Sequence, residues 1–501
     1  MIASPAASRP AGAARAPRPG RLPVRLLRLE LRRSTMLPLL PLLAVLLAFT
    51  ELRNDLGHPP LWAVRSIVVQ HQLELTGGIV AGVAAWTAGR DGRRLLTDLV
   101  TVTVRPRCAR QLASWAAVAS WALLFYAACV AVVFGATARQ ASWGGPIWWL
   151  PGVGAAAILA FSAVGFAFGA FFPGRFAAPL VTVGALLAPQ IGVLALQRHH
   201  AWGRVSPAGD GTVPGTGIFF PFHPGLSIVQ ILFLAGLTVA ALGVLALPAA
   251  AGGRRLRLAG AVIALAGLAA ATAGVALAST ARLEAEGVIV PALDTPASGR
   301  LISYTPVCDS SAVVPVCLHP AFRAQLPGLA AYLDPALRQV AGLPGAPARV
   351  EFSTATPQAI SGGISIPGPV ISGRPPVLYL SPALLVPAGS SVAQILGPAG
   401  PVAIIQAVIY GRPVPGLPPR GRPAQHAVEA ALLKAAGLRL LPPSAAGRRQ
   451  AGDTVPGPPP GSPAYAAAQR FAALPATARH AWLAARLAAL RAGQVTLAEI
   501  P

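Results

Sequence analysis

The chain has 501 residues, a formal charge of +24 and a mean hydropathy of +0.60, yet only 11% of its side chains are charged, against about 25% in ordinary soluble domains. Nearly all the basic residues are arginine, with Lys434 the sole lysine. In the first half they fall between apolar runs rather than along one aromatic-interleaved face, which argues against nucleic acid as a partner.

Residues 1–33 read as a basic cytoplasmic leader. Its basic region is too long for a cleavable signal peptide, and the apolar run after it reaches span length. From Ser34 to Thr280 the chain repeatedly runs the length of a bilayer crossing without a charge; about 20 apolar residues in a helix rise roughly 30 Å. The predicted crossings are Ser34–Thr50, Leu73–Gly89, Leu112–Ala136, Ile147–Phe172, Phe176–Gln197, Pro224–Gly253 and Leu258–Ser279. The first carries Pro38 and Pro41. The second has Glu74 at one end, where a carboxylate costs far less than the roughly 2.5–3.5 kcal/mol it costs at a helix centre. The expected fold class is an all-α polytopic membrane domain of about seven transmembrane helices (34–280), followed by a smaller α+β extracytoplasmic domain (281–501).

Arginine placement orients that domain. With the N-terminus inside, the segments 1–33, 90–110, 172–176 and 252–257 hold eighteen arginines. The outer loops hold five: Arg53, Arg65, Arg139, Arg198 and Arg204. This is a strong positive-inside bias, and an odd number of crossings leaves the C-terminal region outside. Cys308 and Cys317 lie close together in that region. A disulfide there fits an oxidising compartment; a metal pair with His319 and two unrelated small residues are the other readings.

The inner segment from Ala88 to Trp115, AGRDGRRLLTDLVTVTVRPRCARQLASW, is too polar for a span and too long for a tight turn. Leu95, Leu96, Leu99 and Val100 recur at helical spacing among arginines and Asp91 and Asp98. That pattern fits a short amphipathic helix at the inner surface, or a basic loop on anionic lipid. Together with the basic lead-in RLPVRLLRLELRRS and six spans in order, residues 21–250 resemble the permease subunits of ATP-binding-cassette transporters of the exporter-like type, especially large actinobacterial ones. The resemblance implies that a separate cytoplasmic ATP-binding subunit docks on the 90–110 loop. Arg90, Asp91, Arg93, Arg94, Asp98 and Arg105 are then the candidate contacts. It also implies a homodimer or heterodimer with a second permease, membrane lipid as surroundings, and no cofactor in this chain, ATP being held by the partner. The seventh span and the long exported tail depart from the six-span pattern.

This chain shows no motif for powering transport itself. A phosphate-cradling loop needs G-x-x-x-x-G-K-[ST], and Lys434 stands in ALLKAAGL. Ion coupling needs carboxylates or histidines buried mid-membrane, and the clear spans contain none. Gln190, beside Pro189 in the fifth span, is the candidate pathway residue, or an interhelical hydrogen bond at a kink. The outer loop Arg198–His223 carries His199, His200, Trp202 and His223, most simply as a solvated loop with an interfacial tryptophan.

In the tail, helices are expected over Leu326–Leu343, Gln425–Leu438 and Ala464–Ala492, and strands over Arg349–Ser353 and Val377–Leu380. His426 and Glu429 share a helix face but lack the further ligands a metal centre needs, and no G-x-S-x-G elbow is present. No catalysis and no metal site are expected, and His319 is expected to orient the turn before a helix. A second reading treats the tail as a membrane-anchored binding or sensing module, with the spans as its scaffold.

Overall fold

The computed structural model describes residues 22–49, 56, 60–71, 73–93, 107–197, 201–209, 218–247, 253–284, 287–294, 301–352, 358–360, 363–365, 370–380, 399–411, 422–441 and 454–501. Its apolar first half is helical. In chain order come α1 (Leu22–Arg32), α2 (Leu40–Leu47), α3 (Trp62–His71), α4 (Leu73–Ala88), α5 (Arg107–Gln140), α6 (Trp149–Phe171), α7 (Ala177–Gln197), α8 (Gly225–Leu245) and α9 (Gly253–Thr280). Among the described residues, four helices are long and apolar enough to cross a membrane: Cys108–Gln140, Trp149–Phe171, Gly225–Leu245 and Arg254–Thr280. They identify a helical membrane protein. α7 is 21 residues long and holds Pro189 in its interior.

Side-chain contacts fix the direction of each rod. The Thr35 and Thr87 hydroxyls meet at 2.8 Å, tying the approach to α2 to the end of α4. A Cβ on Gly77 would meet the Phe161 ring at 2.8 Å, and one on Gly165 or Gly169 would strike the backbone of Ala81 or Ala85, so α6 runs parallel to α4 at closest approach. α5 is antiparallel to α6: the Trp115 indole donates to Ser162 Oγ at 3.1 Å and the Tyr126 hydroxyl to the Pro151 carbonyl at 3.3 Å. α7 is antiparallel to α4, with Gly78 facing Leu186 and Gly82 facing Thr182. α9 is antiparallel to α8, because Cβ atoms on Gly236 and Gly243 would lie 2.5 Å from the backbone nitrogens of Ala271 and Ala264. The end of α8, at Leu245, packs with Phe166 of α6 and Ala84 of α4, so α2 and the helices α4 to α9 alternate in direction. Small residues at these crossings matter because lipid tails supply no hydrophobic drive between helices; close van der Waals contact must do so.

In the bundle, three differences from the sequence reading have physical causes. The helix predicted to Gly253 stops at Leu245, just ahead of Pro248, since a residue before proline disfavours helical backbone. The predicted first span opens as a 3-10 turn over Leu37–Leu39, with Pro38 and Pro41 in first-turn positions that need no amide donor. The second span is preceded by an unforeseen helix, α3, so Arg65, taken above as an outer-loop arginine, is instead a helical residue 1% exposed.

The C-terminal region is mixed. Strands β1 (Arg282–Glu284) and β2 (Gly287–Ile289) form a hairpin directly after α9. A five-stranded sheet has the order β3-β4-β5-β9-β8, from β3 (Val307–Asp309), β4 (Val316–Leu318), β5 (Arg349–Phe352), β8 (Val370–Ser372) and β9 (Val377–Leu380), while β6 (Gln358–Ile360) and β7 (Gly363–Ser365) pair as a separate hairpin. β4, β5 and β9 run parallel, and β3 and β8 pair antiparallel at the edges. Helices α10 (Leu326–Val340), α11 (Ala399–Tyr410), α12 (Pro423–Ala435), α13 (Pro463–Ala473) and α14 (Ala476–Arg491) pack with it around Leu329, Leu333, Leu337, Val408, Leu432 and Phe471, all within 1% of full burial. The single helix predicted over Ala464–Ala492 breaks at Leu474, where both Leu474 and Pro475 adopt extended backbone. Cys308 and Cys317 stand directly opposite across β3 and β4 and form a disulfide. Closing so short a loop stabilises the fold by about 2–3 kcal/mol in the chain-entropy account.

Replacing Gly165 with leucine should push α4 off α6 and cost about 1–3 kcal/mol or more. Gly135 on α5 has open space around it, so Gly135→Leu should be neutral. Melting of the two variants in detergent, followed by size-exclusion profile, checks the pair; equal behaviour would mean that the α4–α6 contact is misassigned.

Candidate functional site

Because the rods alternate, the arginine-rich segments collect at one end of the bundle. The Arg90 guanidinium lies 3.8 Å from Glu30 of α1, and the Trp121 indole donates to the Leu31 carbonyl at 2.9 Å. These contacts seat the amphipathic α1 against the end of α4 and the first half of α5. A single helical turn, Arg90–Arg93, follows α4 and carries Asp91. The Arg93 guanidinium stacks 3.8 Å over the half-exposed Trp86 ring and donates to the Trp86 carbonyl at 2.6 Å. A cation over a tryptophan face is worth about 0.5–1 kcal/mol at an exposed site, so Arg93 braces the end of α4. Gly92 abuts Pro173 in the turn between α6 and α7: a Cβ there would lie 2.5 Å from the ring. Of the predicted coupling contacts, Arg90, Asp91 and Arg93 thus fall on one end-platform. Arg94, Asp98 and Arg105, and the amphipathic run Leu95–Val100, lie outside the described residues.

Gln190 falls elsewhere. Its side chain is on the exposed face of α7, beside Leu187, Ile191 and Leu194, which are 53–63% exposed. It does not line the interior of this bundle.

The opposite end carries polar groups that spacing alone did not flag. Arg65 donates to Gln140 Oε1 at 2.8 Å, to Leu56 O at 3.1 Å and to Thr137 Oγ1 at 3.3 Å. Gln70 and Gln230, both within 1% of full burial, hold the turn after the short helix Ala201–Val205. Gln70 donates to the Pro207 carbonyl at 2.7 Å, and Gln230 to those of Ser206 and Gly209 at 2.9 and 2.5 Å. They satisfy carbonyls that a re-entering turn would otherwise leave bare.

At this same end the tail is seated. Asp294, 6% exposed, accepts from Gly225 N at the start of α8 at 2.9 Å and from Val290 N at 2.8 Å; a carboxylate there also complements the helix N-terminus. Ser142 donates to the Pro320 carbonyl at 2.6 Å, and Ile302 N to the Phe219 carbonyl at 2.7 Å. Between them lies His319, fully buried. Its Nδ1 accepts from Ala321 N at 3.1 Å, capping the 3-10 turn Pro320–Gln325 as expected. The ring is walled by Trp143 and Phe219 of the bundle and Tyr304 of the tail, at centroid distances of 5.0, 5.4 and 4.2 Å. Burial lowers its pKa from 6.5 to about 4; the Ile218 carbonyl opposes the shift, near enough to act on the ring but outside hydrogen-bonding geometry to Nε2. Leu61, Phe219 and Phe220 belong to the same apolar core as the tail's helices and sheet. Bundle and tail thus share one core.

The tail's other titratable cluster is structural in form. Glu429, 7% exposed, accepts from Gln406 Nε2 at 2.7 Å and from the Tyr410 hydroxyl at 2.8 Å, with His426 Nδ1 3.8 Å away. Burial first, and then the Glu429 charge, push the Tyr410 phenol well up. The arrangement locks α11 to α12, and no metal-capable group of three or more ligands occurs among the described residues. His480 Nε2 sits 2.8 Å from the Ala341 carbonyl at the end of α10.

Neither protein-family models, nor curated proteins, nor solved structures contain a match to this chain.

A histidine buried neutral binds its proton more readily once unfolded. Its contribution is therefore complete above about pH 6.5, falls as pH drops towards about 4, and falls no further below that. The melting temperature of the purified protein should decline across this window, and His319→Gln should flatten the decline relative to the parent. Identical slopes would show that His319 does not report on the joint.

Proposed function

We propose that this chain is the membrane-spanning permease subunit of an ATP-driven transporter, with seven crossings, a cytoplasmic N-terminus and residues 281–501 outside. The observation that carries the reading is the polarity of the bundle. Arg90, Arg93, Arg110, Arg175 and Arg254–Arg257 cluster at one end, while the disulfide-bearing tail is packed on the other. The arginine end fits a cytoplasmic face, and the disulfide fits an oxidising compartment.

On this reading a cytoplasmic ATP-binding subunit docks on the 90–110 segment, and the Arg90–Glu30 and Arg93–Trp86 contacts keep that platform stiff. A force applied there reaches α4, α5 and α6 together, because α1 and the Gly92–Pro173 contact join their ends. The outward face of α7 suits a second permease: Gln190 puts an amide in an otherwise apolar surface, and small residues Gly184 and Ala188 are exposed beside it. Polar and small side chains favour a helical neighbour over lipid. A route lined by Gln190 would then run between two subunits, not through one.

Gentle purification of the tagged chain should bring down a stoichiometric ATP-binding protein. Reversing charge at Arg93, Arg94 and Arg105 should abolish that association while leaving membrane insertion intact. A well-folded chain that associates with no ATP-binding protein, from cells expressing its neighbouring genes, would instead favour the anchored binding module.

In intact cells Cys308 and Cys317 should resist thiol reagents until an external, membrane-impermeant reductant is added. Labelling that needs lysis but no reductant would place the tail inside and remove the seven-crossing topology.

A further inference from the structure

The joint between bundle and tail contains an open cleft of about 340 Å³, lined by Trp62, Trp143, Gly145, Phe220, Phe222 and Ile302 among others. That volume lies in the range of about 300–1,000 Å³ typical of small-molecule sites. Its lining is aromatic and aliphatic, with no charged side chain among the described residues. The walls come from four separate stretches: the start of α3, the α5–α6 loop, the segment entering α8, and the tail. An occupant would touch both domains at once.

Position says what that occupant is. The α5–α6 loop leads directly into α6, a membrane-capable helix at whose start stand Trp148 and Trp149, 63% and 44% exposed. Exposed tryptophans at the end of a span mark the boundary between hydrocarbon and headgroups. The Trp148 ring is 5.2 Å from Phe134, and Phe134 is 5.6 Å from Trp62 in the cleft wall. Rim and cleft are thus one aromatic surface, beginning at the depth where acyl chains end. We propose that the cleft binds an acyl chain of a bilayer phospholipid, drawn out of the leaflet and clasped between the bundle and the tail. The alkyl chain satisfies a lining that offers it no hydrogen bond, and it removes from water an apolar hollow that would otherwise be costly to leave wet.

Acyl-chain binding here requires only that α6 cross the membrane; it does not depend on ATP coupling, and it is tested without an ATP-binding subunit. The full chain is reconstituted in vesicles of phosphatidylethanolamine and phosphatidylglycerol, with a trace of phosphatidylglycerol bearing a diazirine at one acyl terminus. After illumination, labelled peptides are mapped by mass spectrometry. Label is expected in the segments around Trp143, Phe220 and Ile302, as well as on the exposed apolar face of α9 (Leu258, Val262 and Leu265), which serves as the measure of ordinary boundary lipid. A Cβ added to Gly145 would meet nothing within 4 Å, so Gly145→Trp fills the cleft without a backbone clash. It should remove most of the labelling in the cleft, because the indole occupies the space the chain would fill, and leave the α9 label unchanged. Ile302→Trp fills the same space from the tail and should act alike, so a folding failure of either variant leaves the other to decide. Label confined to the outward helix faces, or cleft labelling unchanged in a folded variant, would overturn the proposal.

Discussion

Hydrocarbon offers a peptide group no hydrogen-bond partner, and the architecture of this chain follows from that. Each apolar segment must close its own backbone bonds as a helix, and adjacent helices gain nothing from burying apolar surface against one another rather than against lipid. They gain from contact. Gly165 and Gly169 against Ala81 and Ala85, and Gly236 and Gly243 against Ala264 and Ala271, bring backbones to a distance that any side chain would prevent. The same constraint explains Gln70 and Gln230. The turn after Ala201–Val205 re-enters the bundle, and its carbonyls are held by these two buried amides.

Outside the hydrocarbon the rules change, and the tail is built by them. It has a layered core, a mixed sheet and conventional caps such as Ser462 on α13. Yet it does not hang from α9 as an independent module. Leu61, Phe219 and Phe220 complete its core, Asp294 ties β2 to the start of α8, and His319 is enclosed by rings from both sides. A tail so seated cannot move without moving the α5–α6 loop and the entry to α8. Motion at the arginine end, if transmitted along α5 and α6, arrives at these same two places.

Much of this was legible in the sequence because charge and hydropathy act locally. The ends of α4, α6, α7 and α9 fall within a few residues of the charge-free runs, and β9 coincides with Val377–Leu380. The disulfide followed from two cysteines nine residues apart, although a metal pair fitted the same spacing until the β3–β4 register set them face to face. What stayed hidden depends on partners distant in the chain. Arg65 reads as a loop arginine because its acceptors, Thr137 and Gln140, lie more than seventy residues away. Gln190 reads as an interior polar group because helical periodicity is weak in a segment apolar on every side, so which face looks outward is decided by Gly78 and Gly82 on another helix. α3 escaped notice because Arg65 and Gln70 interrupt its hydropathy.

These two kinds of residue also divide the labour of the site. The arginine end is read from composition because its partner would be met through charge, a long-range and geometry-tolerant force. The joint at the other end depends on close packing, where Trp143, Phe219, Tyr304 and His319 must all be in place together, and no short motif encodes such a set. If the chain couples a push at one end to a rearrangement at the other, as proposed above, it needs both: a surface tolerant enough to receive a separate subunit, and a joint stiff enough to convert helix displacement into tail displacement. On that reading the close-packed glycine contacts between α4 and α6 would carry the connection. Beside the joint lies the open cleft, where the two domains meet without filling the space between them. Whatever fills it sets how freely the tail can follow the helices, and at that depth the material closest to hand is the bilayer itself.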